Sequence, residues 1–172
     1  MMNDDPVQLQ LARKHLRDNP QRSLEICEDY VGEHPNDPNG LFSRYQALES
    51  LGEYERALKD ITKLLELDTN TGGYSCRGEL YHRIGDYCRA IEDLTRAREL
   101  DEWEWKTSFD PHMRADSYAR LGRLEEALAD CTHISDDHWM PAIRGLPGGN
   151  KQEFIEEIKR RAALARQSHR QA

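Results

Sequence analysis

The amino-acid sequence predicts an all-α protein built from repeated helix-turn-helix units, and three observations carry that reading. The stretch Leu51-Gly52-Glu53-Tyr54-Glu55-Arg56-Ala57-Leu58-Lys59-Asp60-Ile61 returns as Ile84 to Leu94 and again as Leu121 to Cys131. Each copy reads apolar, Gly, polar, large apolar, two variable positions, Ala, apolar, variable, Asp, apolar. The glycines are regularly spaced: 33 residues take Gly52 to Gly85 and 37 take Gly85 to Gly122, and a period of about 20–50 residues marks a repeat array. Finally, a Gly after a helical segment supplies a left-handed turn residue, and Ala57, Ala90 and Ala127, each followed by apolar residues at helical spacing, open a second helix.

The first helix of each unit lies upstream of its turn, at Leu41 to Ser50, Tyr74 to Arg83 and Pro111 to Arg120. Aligned on the glycines, these helices carry Arg44-Tyr45-x-x-Leu48, Arg77-Gly78-x-x-Tyr81 and Arg114-Ala115-x-x-Tyr118. The middle copy closely resembles the tetratricopeptide repeat, whose signature sets a small residue and an aromatic in the first helix, then Ala and a large apolar residue in the second. Gly78, Tyr81, Ala90 and Leu94 hold those places. The resemblance implies a right-handed α-solenoid, no catalysis and no cofactor, and a function in protein–protein interaction. A small secretion-type chaperone is the alternative within the binding class.

Upstream, Val7 to Leu16 with Asp18-Asn19-Pro20 and Ser23-Leu24-x-x-Cys27-x-x-Tyr30 reads as a degenerate first unit, broken by His34-Pro35-Asn36-Asp37-Pro38. An insertion at Asp101 to Thr107 accounts for the longer second interval. Past Ile134 the pattern gives way to a loop containing Trp139, expected to stitch the last helix to the fourth unit. That helix, from about Lys151 to Arg166, places Phe154, Ile158, Ala162 and Ala165 on one stripe, so it caps the open apolar end of the array. The expected organisation is one domain over 1–172, with units at about 4–37, 38–70, 71–103 and 108–138 and the loop and cap at 139–172. Thr69, Glu102 and Trp139 stand where the family has a helix-ending proline, and Tyr45 is bulky where it has a small residue.

Composition narrows the partners. The hydrophobic fraction of 37% is below the roughly 45–50% of ordinary globular domains, so the core is thin. With 24 Lys and Arg against 32 Asp and Glu, the net charge of −8 opposes nucleic acid and anionic membranes and favours a basic protein or peptide. No apolar run approaches the ~20 residues of a membrane span. Cys27, Cys76, Cys88 and Cys131 form no CxxC pair, and no signal-like segment opens the chain. A reduced, cytoplasmic setting is expected.

Arg44, Arg77 and Arg114 recur once per unit, as do Asp60, Asp93 and Asp130, and the first unit lacks both, with Leu11 and Ile26 in their places. Joint presence and absence predict an ion pair between the two helices of each unit, a geometry to which Arg is suited. In tetratricopeptide arrays the first helices line a concave, peptide-binding face. The residues expected there are Phe42, Gln46 and Glu49, then Ser75, Glu79 and His82, then His112, Asp116 and Ala119. The subgroup that clamps the acidic end of heat-shock chaperones uses Lys, Asn and Arg, where this chain has Gln46, Glu79 and Asp116, so a segment with Lys or Arg is the expected ligand. Trp103 and Trp105 form a second candidate surface, one packing inward and the other serving as an anchor.

The competing class is a metal protein or enzyme using His82, His112, Glu79 and Asp116, but no HxxxH or HExxH spacing supports it and the expectation is no metal. Ser108 and Ser117 lack a glycine elbow, and Cys27 and Cys131 fall on core positions. His133 and His138 beside Asp136 and Asp137 read as a helix-end cluster. Arg160, Arg161, Arg166 and Arg170 read as the solvated basic end of the last helix, and Gly148-Gly149-Asn150 as its start, with no ligand needed.

Overall fold

Proline, Asn and Asp punctuate the chain where helices begin, and the computed structural model, which describes residues 6–67, 71–137, 139–140, 145–146 and 148–171, follows that punctuation. Thr69 and His138 lie outside the described residues, as does the side chain of Arg170. The contacts group into two compact units, Met1–Gly73 and Tyr74–Ala172.

The first unit contains α1 (Val7–His15), α2 (Pro20–Glu33), α3 (Pro38–Ser50) and α4 (Tyr54–Leu67). Asn19 accepts from the Arg22 amide and Asp37 from the Asn39 amide, while Pro20 and Pro38 fill first-turn positions where a missing N–H costs nothing. Between α3 and α4, Gly52 takes φ 76°. The Glu53 amide then reaches the Leu48 carbonyl at 2.9 Å and the Gly52 amide the Glu49 carbonyl at 3.0 Å. This pair of bonds closes the helix and requires a left-handed residue, which explains the recurring glycine. Leu9, Leu24, Cys27, Leu41, Leu48, Ala57 and Ile61 are buried, and bulky Tyr45 is buried with them.

The second unit takes α5 (Thr71–Ile84) from Tyr74 onward, then α6 (Tyr87–Leu100), α7 (Glu102–Thr107), α8 (Asp110–Arg120), α9 (Leu124–Cys131) and α10 (Lys151–Gln171). Gly85 and Gly122 repeat the left-handed turn at φ 85° and 74°. The insertion is the short helix α7, capped by Asp101, which accepts from the Trp103 and Glu104 amides.

Sequence periodicity misses a two-residue antiparallel pairing of β1 (Trp139–Met140) with β2 (Gly149–Asn150). Asn150 then starts α10 in a reciprocal box, accepting from the Glu153 amide while its own amide donates to the Glu153 carboxylate. Phe154, Ile158 and Ala162 of α10 join Leu94, Met113, Ala127, Cys131, Ile134 and Leu146 in one core. Trp139 is 69% exposed, which corrects the expectation that it stitches α10 in place; buried Leu146 occupies the core instead. Burial pushes the thiols of Cys27 and Cys131 up to about 11 and about 12, so neither is a nucleophile near neutral pH.

Candidate interaction site

The recurring arginines and aspartates meet in one geometry three times. Arg44 donates from Nε and Nη2 to the two carboxylate oxygens of Asp60 at 2.8 and 2.6 Å, joining α3 to α4. Arg77 does the same to Asp93 at 2.7 and 2.9 Å, and Arg114 to Asp130 at 2.8 and 2.6 Å. These side chains are committed to the scaffold.

The pairs differ in burial, with the arginine side chains 24%, 20% and 5% exposed in chain order. Arg114 is enclosed because α7 lays Trp105 over it, the guanidinium carbon 4.7 Å from the ring centroid, and because it also donates to Thr95 at 3.0 Å. Residues two apart on a helix point to different sides, so Trp105 is fully buried while Trp103 is 75% exposed.

Of the residues expected on the first-helix face, those in the first unit remain accessible. Phe42 is 37% exposed and lies 5.6 Å from Tyr45, ring to ring, with Gln46 and Glu49 half-buried beside it. In the second unit Glu79, His82, His112 and Asp116 are buried and Ser75 is half-buried. On α8 the cause is α10, which packs along that helix as well as α9, so it covers more than the open end of the array. The His112 ring meets Phe154 edge-on at 5.2 Å. Asp116, fully buried, receives His82 Nε2 at 2.9 Å, Arg161 Nη1 at 2.6 Å and Arg120 Nε at 3.2 Å. Arg161 also donates to Glu157 at 2.8 Å and to the Gly145 carbonyl at 3.2 Å, and Glu79 is paired with Arg83 at 2.9 Å.

Two expectations change accordingly. Arg160 and Arg161 are mid-helix residues, because α10 continues to Gln171, and Arg161 is a tether to α8 instead of a solvated helix end. His82 and Asp116 do meet, but in a hydrogen bond between side chains; among the described residues no group of three or more His, Cys, Asp or Glu is arranged to hold a metal.

Burial alone would raise the Asp116 carboxyl, but the His82 hydrogen bond and the Arg161 charge outweigh it and hold this group below the usual carboxylate range. Asp110 shows the opposite balance. Burial pushes it up to about 6, against the hydrogen bonds of Ser75, which donates at 2.5 Å, and Ser108, with Glu79 and Glu104 pushing the same way as burial. Since that value lies above the roughly 3.9 of an unfolded chain, the native state holds this proton more tightly. Its contribution is fully present below about pH 4 and is lost as pH rises through about 6. Asp110→Asn is therefore expected to raise stability at pH 7.5 by about 1–3 kcal/mol and to leave it nearly unchanged at pH 4. Urea unfolding at the two pH values checks this, and equal stability at pH 7.5 contradicts it.

Paired helices, three of the pairs closed by a left-handed glycine and carrying Ala57, Ala90 or Ala127 in the first turn of the second helix, define a tetratricopeptide-type helical repeat, and comparison with known proteins agrees. The tetratricopeptide repeat family model matches residues 46–71. No curated protein matches the chain. Among solved structures, that of MamA protein is similar with a TM-score of 0.73 at 16% identity, covering 95% of this chain and 85% of its own. YrrB, described as a TPR protein with an unusual peptide-binding site, has a TM-score of 0.67 at 17% identity and coverage of 94% and 82%. A thermophilic TPR protein of Thermus thermophilus has a TM-score of 0.59 at 22% identity and coverage of 92% and 79%. The chain thus has the all-α solenoid fold of tetratricopeptide-repeat proteins.

Proposed function

We propose that the chain is a non-catalytic protein–protein interaction module, acting as one domain in the cytoplasm, that takes a Lys- or Arg-bearing segment on the first-helix face around α3. The observation that carries this reading is the partition of residues. The recurring Arg, Asp, Gly and Ala are consumed by the scaffold, whereas the Phe42 ring on α3 is left accessible, beside half-buried Gln46 and Glu49. Aromatic anchors dominate interface energetics, and the net charge of −8 favours a basic ligand. The fold likeness to YrrB, itself described as having a peptide-binding site, supports the same reading. Exposed Trp103, in the second unit, offers a second contact point.

The test is co-purification of partners with the tagged full chain, identified by mass spectrometry, then repeated with Phe42→Ala and Glu49→Lys. Each substitution is expected to weaken the captured partner at least roughly tenfold, the cost of losing a hot-spot contact, with unchanged melting. Capture that is insensitive to both substitutions contradicts the assignment of this face.

A further inference from the structure

Where α6 begins, α8 ends and α10 passes by, a cleft of about 400 Å³ is lined by Tyr87, Arg120, Arg160, Arg161, Leu164 and Ser168. Three guanidinium groups share one cleft in a chain whose net charge is −8. Among the described residues the carboxylates that touch them are Asp116 and Glu157, so the positive charge is not fully balanced.

The donors are not exhausted either. Arg120 donates only from Nε, to Asp116, and its guanidinium lies 5.6 Å from the Tyr87 ring centroid. Among the described residues neither terminal nitrogen of Arg120 has an acceptor. Arg160 spends Nε and Nη2 on Glu157, leaving Nη1. Arg161 spends Nε and Nη1 on Glu157, Asp116 and Gly145, leaving Nη2. Because those ion pairs hold Arg161 and orient Arg120, the remaining donors are positioned in advance, which lowers the ordering cost of binding an anion. One wall is apolar, with Leu164 48% exposed.

We propose that this cleft binds an acidic peptide segment of a partner protein, with a carboxylate seated on Arg120 and Arg160 and a neighbouring apolar side chain on Leu164. Arginine forks suit carboxylates in a way that a lone ammonium does not, and the apolar wall favours a peptide over a free small anion. The site is separate from the α3 face and would stand if the basic-segment reading there failed.

Fluorescence anisotropy of the full chain with a short labelled peptide of Asp and Glu around one Leu tests the assignment, alongside a Lys counterpart. The acidic peptide is expected to bind, to weaken roughly tenfold with Arg160→Gln and with Arg120→Gln, the scale of a charge-assisted hydrogen bond, and to ignore Phe42→Ala. Arg160→Gln keeps the test valid if Arg120→Gln perturbs packing, because the Arg160 side chain is 61% exposed and, among the described residues, bonded only to Glu157. Loss of the Lys peptide alone with Phe42→Ala separates the two sites. Absence of acidic-peptide binding, indifference to Arg160→Gln, or displacement by inorganic phosphate at matched ionic strength overturns the proposal, the last by showing a free-anion site.

Discussion

Asp130→Ala is expected to destabilise the second unit by about 3–5 kcal/mol, because removing one member of a buried pair strands the other charge. Arg114 and Asp130 are both nearly inaccessible, and Trp105 closes the space through which water would otherwise reach the guanidinium. The same substitution at Asp93, and then at Asp60, should cost progressively less, since Arg77 and Arg44 keep 20% and 24% of their side-chain surface exposed and can rehydrate. Urea unfolding of the three variants gives the order directly. A double replacement, Arg114→Met with Asp130→Leu, should recover much of the loss, as apolar substitutes for buried ion pairs commonly do. If Asp130→Ala unfolds at the wild-type urea concentration, the bidentate pair is not what fastens α8 to α9.

Asp116→Ala is expected to have an effect of the same size, about 3–5 kcal/mol, with a different signature. Asp116 is the acceptor shared by His82 of α5, Arg120 of its own helix and Arg161 of α10. Its loss takes from Arg161 one of its two carboxylates and removes the side-chain tie between α8 and α10, leaving the Arg166 bond to the Gly122 carbonyl and the apolar packing of Phe154, Ile158 and Ala162 to hold α10. Limited proteolysis should then cut around Gly145 and along α10 before the rest of the chain. The pH dependence follows from the lowered carboxyl of Asp116: its stabilising contribution is present above the unfolded value of roughly 3.9 and is lost as pH falls through the lower folded value. The variant should therefore lose part of the wild-type acid sensitivity. An α10 as protease-resistant as in the wild type contradicts the tether.

Much of the scaffold was legible because it repeats. A left-handed turn needs glycine, a close helix approach needs alanine, and an ion pair needs both partners, so Gly52, Ala57, Arg44 and Asp60 and their counterparts could be aligned and read together. The covering of α8 by α10 was not legible. Phe154, Ile158 and Ala162 announce that α10 buries a stripe, but periodicity says nothing about which surface receives it. Arg161 carries no signal of its own in the sequence, where it reads as the partner of Glu157 four residues earlier, while its bond to Asp116 spans 45 residues. The strand pairing of Trp139–Met140 with Gly149–Asn150 is too short for an alternation pattern, which left Trp139 assigned to the wrong side.

Backbone hydrogen exchange of the full chain, free and saturated with a Lys-containing segment recovered from a captured partner, tests most directly where the interaction face lies. In the free protein α8 and the Phe154–Ala162 stretch of α10 are expected to be protected already and to stay unchanged, while α3 around Phe42 and Glu49 gains protection on binding. Rapid exchange along α10 in the free protein, with the gain on binding falling on α5 and α8 around Glu79, His82 and Asp116, would contradict it.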